Sequence, residues 1–310
     1  MILAVGLTPA WQQITCVDSL EPGEVNRARE LVATASGKVL NVGLALHGLQ
    51  AQSKSLAFVG GLYGAAIREE FAANNLSARW ISTQTPTRVC TTVLDRANGR
   101  ATELVENAAP VTPEDLAAFL KAFKEESRTA DLTVISGSLP AEAPPDFHSQ
   151  LIQSAANPKT RHLLDICGPA LLSSLQRRPF LVKPNRKELA LTLGRDLSSN
   201  RALREAMTEL VKRGATWCVV TDGGGATRAT DGTRFYEFSS VPNSPVVNPI
   251  GCGDCFAGGL AFGLSMNQSM PDAIRLGIGA ATENLGQLLP ARLHREATES
   301  LAASVECREV

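Results

Sequence analysis

The stretch "NPIGCGDCFAGG" at positions 248–259 places Asp254 among glycines at the start of a predicted helix. Gly251 and Gly253 allow a sharp backbone turn and close approach of other atoms. Successive N–H groups in such a turn, at a helix N-terminus, can hold an anion. An acid beside an anion is useful when it accepts a proton, as in phosphoryl transfer to an alcohol. The pattern is compatible with Asp254 as a general base and the N–H groups of Gly251, Cys252 and Gly253 as an anion hole, and it equally suits an ordinary helix start with a favourable first-turn acid.

The same stretch contains Cys252 and Cys255 in C-x-x-C spacing. At a helix N-terminus such a pair could be a redox dithiol, because this position favours thiolates. Asp254 lies between them, and its negative charge opposes the formation of a thiolate. The cysteines are therefore interpreted as small side chains that fill space in the packing. Zinc binding is not favoured either, since the sequence has no second C-x-x-C and only four histidines, none clustered with the cysteines.

The composition restricts the classes of partner. The chain has 310 residues, of which 44% are hydrophobic and 20% charged, and its formal net charge is −1. Such balanced charge predicts no electrostatic surface for nucleic acid or an acidic membrane. The N-terminus lacks the basic residues of a secretory signal, and no apolar run reaches the roughly 18–20 residues of a membrane span. Seven scattered cysteines do not resemble a disulfide framework, so we expect a cytoplasmic protein.

The elements that must position these residues alternate between strands and helices. Residues 112–126 predict a helix, with Thr112 as N-cap and apolar residues at i, i+3, i+4 and i+7 on one face. Short apolar runs predict strands within residues 2–7, 53–61, 131–140, 161–168, 179–185 and 216–225. The alternation predicts an α/β fold with a mainly parallel central sheet covered on both faces, and binding residues at the carboxyl ends of its strands.

Two stretches do not follow this alternation. Residues of about 10–35 and 85–107 each read as strand pairs, with turns at Pro22-Gly23 and Asn98-Gly99. They predict a small second sheet, a candidate lid over the site. No linker or internal repeat divides the chain, so residues 1–310 are expected to form one domain.

Six further stretches, in order along the chain, support a resemblance to a known family. They are "LEPGEVNRA" (20–28), "ASGKVLNVGLAL" (35–46), "TRVCTTVLD" (87–95), "ISGSLP" (135–140), "LVKPNRKEL" (181–189) and "VVTDGGGA" (219–226). Together with "NPIGCGDCFAGG" they resemble the ribokinase-like sugar kinases of the phosphofructokinase-B family over essentially the whole chain. The resemblance implies a three-layer α/β/α fold with a small β lid, and ATP- and Mg²⁺-dependent phosphorylation of a sugar.

The resemblance also implies residues for the nucleotide side. Asn185 and Glu188 would organise Mg²⁺ through its waters, although the same spacing is that of a helix capping box. Lys183 would reach the nucleotide phosphates as a point charge. The remaining residues implied for ATP are Thr221, Gly223 and Gly225 in a glycine-rich loop, and Asn284 near adenine.

On the acceptor side, the resemblance places two cations at the phosphate of a sugar phosphate. Lys38 follows Gly37 in a glycine turn, and Arg88 lies in a lid strand, where its planar guanidinium suits a phosphate. The other acceptor residues implied are Gln12, Gly37, Asn41 and Ser138.

The chain departs from the family pattern on this acceptor side only. Gln12 replaces an aspartate that normally binds sugar hydroxyls, and Ser36 and Val39 replace glycines. Val39 is expected to strain the turn, because a β-branched residue resists positive φ. Cys90 and Val105 each stand where asparagine is usual. The transfer machinery is therefore expected to be retained, with the identity of the sugar in question.

The reaction predicted from this resemblance is phosphorylation of fructose 1-phosphate to fructose 1,6-bisphosphate. A kinase for tagatose 6-phosphate or another sugar is an alternative, and a sugar-phosphate sensor with little catalysis is an alternative from another class. The intact Asn185, Glu188 and Asp254 argue against a sensor. Edge strands of the lid could pair between subunits, which would give a homodimer.

Overall fold

The computed structural model describes residues 1–242 and 246–310 and contains two β-sheets in this part of the chain. The large sheet has ten strands in the order β14-β13-β12-β11-β10-β9-β8-β1-β4-β5. These strands are β1 Ile2–Gly6, β4 Ser53–Val59, β5 Ala78–Ser82, β8 Leu132–Ser136, β9 Arg161–Asp165, β10 Leu181–Val182, β11 Trp217–Val220, β12 Thr227–Thr230, β13 Phe235–Phe238 and β14 Cys307–Glu309.

The large sheet is parallel from β5 to β11, and β12 to β14 continue it with antiparallel pairs. The predicted strands are confirmed, since each apolar run contains one parallel strand. Strands β5 and β12 to β14 were not predicted, because they are short and mix polar with apolar residues.

Ten helices lie in the described part of the chain. They are α1 Lys38–Gly48, α2 Gly61–Ala73, α3 Pro113–Glu126, α4 Phe147–Ser154, α5 Gly168–Ser174, α6 Arg186–Leu193, α7 Asn200–Lys212, α8 Cys252–Ser265, α9 Met270–Leu285 and α10 Arg295–Ala303. The predicted helix over 112–126 is confirmed as α3, and its N-terminus is closed by a capping box between Thr112 and Asp115. None of these helices is long and apolar enough to cross a bilayer.

The helices cover both faces of the large sheet, which gives the predicted three layers. Alternate residues of β1 point to opposite faces: Ile2 and Ala4 pack with α1, α2 and α8 to α10, whereas Leu3 and Val5 pack with α3 to α7. All four side chains are at most 1% exposed. A strand buried on both faces explains why the sequence of β1 is apolar throughout rather than alternating.

The small sheet has the order β3-β2-β6-β7. Its strands are β2 Ala10–Val17, β3 Glu30–Ser36, β6 Arg88–Asp95 and β7 Arg100–Val105. The predicted second sheet of two strand pairs is thus confirmed, and a parallel pair between β2 and β6 joins the two hairpins. One face of this sheet contributes to a cavity at the carboxyl ends of the large sheet's strands.

Candidate active site

A cavity of about 300 Å³ lies between the small sheet and the carboxyl ends of β9 to β11. Most of the residues predicted for the site meet there, although they come from separate parts of the sequence. The predicted residues that line it are Gln12, Gly37, Lys38, Asn41, Arg88, Lys183, Asn185, Glu188, Thr221, Gly251, Cys252, Gly253 and Asp254. We call this cavity the catalytic pocket.

The glycine–aspartate turn begins α8 at Cys252, which confirms the helix predicted to start at this stretch. Gly251 is the N-cap of α8 with φ of +83°, which a residue with a side chain rarely adopts. Its carbonyl accepts from the N–H groups of Asp254 (3.0 Å) and Cys255 (2.8 Å). A Cβ atom at Gly253 would lie 3.8 Å from the Lys183 ammonium, so the backbone here runs close to a cation. The turn thus brings backbone and a buried positive charge together beside Asp254.

Asp254 is held in place by a buried chain of hydrogen bonds. Asn41 donates through Nδ2 to Asp254 Oδ2 at 2.7 Å, and Ser36 Oγ donates to Asn41 Oδ1 at 3.0 Å. Burial raises the pKa of Asp254 to about 7, against the opposing effect of the Lys38 ammonium. Asn41 therefore orients the carboxyl group, and the Ser36 hydroxyl orients Asn41.

Asp165, which the sequence analysis did not single out, is the centre of a charge cluster in the pocket. Its side chain is 1% exposed and lies 3.1 Å from Lys183 Nζ and 3.6 Å from Lys38 Nζ. Burial alone would raise the pKa of Asp165, but the two ammonium groups outweigh it and lower the pKa. The same contact raises the pKa of Lys38. A carboxylate at the end of a predicted parallel strand was the available sequence signal.

Glu188 and Asn185 form the capping box that the spacing allowed. The Asn185 side chain accepts from the Glu188 N–H at 2.8 Å, and Glu188 Oε2 accepts from the Asn185 N–H at 2.8 Å. The second Glu188 oxygen, Oε1, is 3.3 Å from Lys38 Nζ and faces the pocket. The cap fixes the position of the carboxylate and leaves one of its oxygens directed at the site.

Arg88 and Ser138 lie at the border with a second cavity of about 480 Å³. The Arg88 guanidinium donates to the carbonyl oxygens of Glu106 (2.9 Å) and Thr8 (3.1 Å), which fixes it against the small sheet. Ser138 follows β8, and its hydroxyl is 3.4 Å from that of Thr8. Ser138 thus lies next to the catalytic pocket rather than in its wall.

The glycine-rich loop after β11 is open to solvent. Thr221 forms an isolated bridge with Asn185 and lines the pocket. Gly223 and Gly225 are exposed and are outside the wall of the pocket. An ion pair of 2.8 Å between Arg186 and Asp222 anchors the loop to α6.

Asn284 is buried beneath the turn that begins α8. Its side chain is 0% exposed. Nδ2 donates to Ile250 O (2.8 Å) and Cys252 Sγ (3.2 Å), and Oδ1 accepts from Ala291 N (2.7 Å). Its polar atoms are therefore all bonded within the protein, while its contact with adenine stays a prediction. Asn284 supports the turn at residues 250–252 from beneath.

The cysteines of that turn are poor thiolates. Burial raises the pKa of Cys252 to about 11 and that of Cys255 well above its usual value, and the Asp254 charge adds to both shifts. A redox dithiol requires the opposite shift. Cys255 is buried and Cys252 is partly buried, which agrees with the interpretation of both as small side chains that fill space in the packing.

Two departures from the family pattern have simple structural explanations. Val39 lies inside α1 and is 1% exposed, so the expected strain at this position is wrong. The positive φ belongs to Gly37, at +86°, where a Cβ atom would be 2.9 Å from the Ala10 nitrogen. Gln12 is 2% exposed and donates through Nε2 to Thr92 Oγ1 at 2.8 Å.

Comparison with known proteins gives the same family in several ways. A model of the pfkB family of carbohydrate kinases matches residues 1–291. The chain is 31% identical to a 1-phosphofructokinase of Bacillus subtilis (strain 168) over 301 residues, which is 94% of this chain and 98% of that protein. Phosphofructokinase-2 of Escherichia coli in complex with fructose-6-phosphate has a TM-score of 0.86 at 25% identity, covering 98% of this chain and 99% of that one. A Thermotoga maritima structure described as a possible 1-phosphofructokinase has a TM-score of 0.91 at 21% identity, covering 100% and 99%, a likeness of fold.

Proposed function

The chain belongs to the pfkB family of carbohydrate kinases, and we propose that it transfers the γ-phosphoryl group of ATP to fructose 1-phosphate, giving fructose 1,6-bisphosphate and ADP. The choice of acceptor is supported by the identity with the Bacillus subtilis 1-phosphofructokinase. It is also supported by Lys38 and Arg88, two cations at the acceptor side of the pocket that suit a phosphate.

Asp254 is the proposed general base, and its environment is the observation that carries this proposal. Its carboxylate accepts the proton of the acceptor hydroxyl while that oxygen forms a bond to the γ-phosphorus. The bond from this phosphorus to the bridging oxygen breaks, and ADP leaves. A base is most effective when its pKa lies near the working pH, and burial brings the pKa of Asp254 to about 7.

The turn before α8 is the proposed anion hole. The backbone N–H groups of Gly251, Cys252 and Gly253 would stabilise the negative charge that spreads over the transferring phosphoryl group. Lys183 is 2% exposed and close to Gly253, so its ammonium adds to the same positive potential. Asp165 holds that ammonium in place.

Thr221, Gly223 and Gly225 are proposed to contact the nucleotide. The glycines are exposed, and a Cβ atom at Gly223 would meet no other atom within 4 Å, so a nucleotide has free access to their backbone. Lys183 reaches the same region of the pocket and would bind the phosphates.

Asn185 and Glu188 are proposed to hold Mg²⁺ through its waters. Their oxygen donors are the kind that this cation prefers, and Glu188 Oε1 faces the pocket. No group of three His, Cys, Asp or Glu side chains in residues 1–242 and 246–310 could enclose a metal. Mg²⁺ usually keeps several of its waters and, when bound here, would neutralise phosphate charge.

The acceptor is tested by measuring ADP release with ATP and Mg²⁺ on fructose 1-phosphate, fructose 6-phosphate, tagatose 6-phosphate, fructose and ribose. We expect the highest kcat/KM on fructose 1-phosphate. A higher value on tagatose 6-phosphate or another sugar would replace the acceptor but keep the kinase. No turnover on any of them, by a folded protein that binds the sugar phosphate, would favour a sensor.

The small sheet is proposed to act as a lid and as the contact between two copies of the chain. Strand alternation places ten uncharged side chains on the face directed away from the pocket, and Leu31 and Leu104 among them are each 62% exposed. Asp95 and Arg100 share this face only at its end, and a largely uncharged face of this extent is typical of an interface. The ten residues are Trp11, Gln13, Thr15, Leu31, Ala33, Val89, Thr91, Val93, Thr102 and Leu104.

The expected result is a dimer that Leu104→Asp separates into monomers, because the charge would be buried without a partner in the interface. Sedimentation velocity measures the mass. Leu191→Asp on α6 is the matched control, since Leu191 is 84% exposed and outside the small sheet. A monomeric wild type, or a Leu104→Asp variant that stays dimeric, would contradict the proposed interface.

A further inference from the structure

Glu103 lies in the catalytic pocket, although neither the sequence motifs nor the proposed mechanism uses it. In β7 it pairs with Thr92 of β6, and Val105 pairs with Cys90. These four residues and Gln12 share the face of the small sheet that is directed at the pocket. Glu103 therefore projects over the acceptor side of the site, opposite the phosphoryl-transfer residues.

The Glu103 carboxylate is available to a ligand in the pocket. Within residues 1–242 and 246–310, no hydrogen bond or ion pair joins it to another group; partial burial raises its pKa, against the opposing effect of the Arg88 charge. Arg88 is the neighbouring cation, but two of its nitrogens already donate to backbone carbonyl oxygens. The Glu103 side chain is exposed to solvent within the pocket, so its oxygens are free to accept hydrogen bonds from a ligand.

The other side chains of this wall cannot take its place. Cys90 and Val105 offer no strong acceptor, and the Gln12 amide donates to Thr92 and carries no charge. An ionised carboxylate only accepts hydrogen bonds, so it binds hydroxyl groups and repels phosphate. Arg88 has the opposite preference, so the wall offers one end for hydroxyls and another for phosphate.

We propose that the Glu103 carboxylate accepts hydrogen bonds from hydroxyl groups of the acceptor sugar and so helps to determine which acceptor the enzyme takes. This assignment rests on the proposed kinase activity. It explains how the pocket keeps a carboxylate for the sugar although position 12 is an amide: the charge comes from β7 instead of β2. The phosphate of the same acceptor then lies toward Arg88 and Lys38.

The test compares Glu103→Gln and Glu103→Ala with the wild type on the best acceptor of the substrate panel. We expect KM for the sugar phosphate to rise about 10- to 100-fold, the usual effect of a lost charged hydrogen bond. The value of kcat should stay within about twofold, because an interaction made equally in the ground and transition states affects KM and not kcat. KM for ATP should also be unchanged, because Glu103 lies at the acceptor side of the pocket. Glu106→Gln is the matched control, since Glu106 is outside the pocket wall and its carboxylate accepts from Val89 N–H at 2.8 Å.

A second measurement separates binding to hydroxyls from a general effect on the lid. The measurement uses acceptor analogues that each lack one ring hydroxyl. For the analogue that lacks the hydroxyl bound by Glu103, KM of the wild type should rise relative to the full acceptor. KM of Glu103→Gln should be the same for this analogue and for the full acceptor. Adding Gln12→Asp to Glu103→Gln should recover part of the lost affinity. An unchanged KM in Glu103→Gln, with wild-type activity established, would overturn the role of Glu103 alone. A wild type without turnover on any sugar phosphate would overturn the kinase proposal as well.

Discussion

Asp254→Asn is expected to lower kcat by a factor of about 10² to 10⁴, the usual contribution of a general base. Asparagine has nearly the same shape and can still accept the hydrogen bond from Asn41, but it cannot take the proton of the acceptor hydroxyl. ATP affinity should be unchanged, because Lys183 and Thr221, which are proposed to bind the nucleotide, are not altered. Steady-state kinetics and calorimetric titration of ATP measure the two quantities. Turnover near that of the wild type would contradict the mechanism.

The pH profile gives the same prediction a second readout. The base must be ionised, so kcat/KM of the wild type should fall as the pH drops through about 7 and be level above it. The residual activity of Asp254→Asn should lack this limb. A wild-type profile without a limb near this pH would indicate that another group accepts the proton.

Thermal unfolding is the control for misfolding of this variant. The pKa of Asp254 is raised on folding, so the folded state prefers the protonated carboxyl, and its contribution to stability is lost as the pH rises from about 4 to about 7. Asparagine does not titrate. At pH 8 the melting temperature of the variant should therefore equal or exceed that of the wild type. A lower melting temperature would mean that the variant is inactive because it is destabilised.

Asp165→Asn is expected to have the largest effect on stability, a loss of about 3–5 kcal/mol in the free energy of unfolding, because it leaves a buried charge without its partner. The charge is the Lys183 ammonium, which is 3.1 Å from Asp165 and almost fully buried. Lys38 loses the same counter-charge but is more exposed and keeps Glu188. Chemical denaturation measures the loss.

The control for this prediction is a surface ion pair. Asp131 is 74% exposed and pairs with the N-terminal amine at 2.5 Å, so Asp131→Asn should cost no more than about 1 kcal/mol. The pKa of Asp165 is lowered on folding, so its contribution is present above the pKa of the unfolded chain and is lost as the pH falls toward that of the folded state. The difference between wild type and Asp165→Asn should therefore shrink in acid. A loss equal to that of Asp131→Asn would show that the cluster does not stabilise the fold.

The sequence by itself determined the local elements and the nature of the chemistry. The parallel strands, helix α3, the two hairpins of the small sheet and the turn before Asp254 all follow from periodicity, caps and glycines, which act between residues close in the chain. Their order and the motifs they contain were enough to indicate a sugar kinase.

Only the tertiary structure decided which side chains act together. Asp165 meets Lys183 and Lys38, Asn41 meets Asp254, and Glu103 faces the pocket because strands and helices far apart in sequence pack at one edge of the sheet. The same packing buries Asn284 beneath the turn, where its polar atoms bond to the protein. Burial and charge partners set the pKa of a carboxyl group, and neither can be obtained from residue type and spacing.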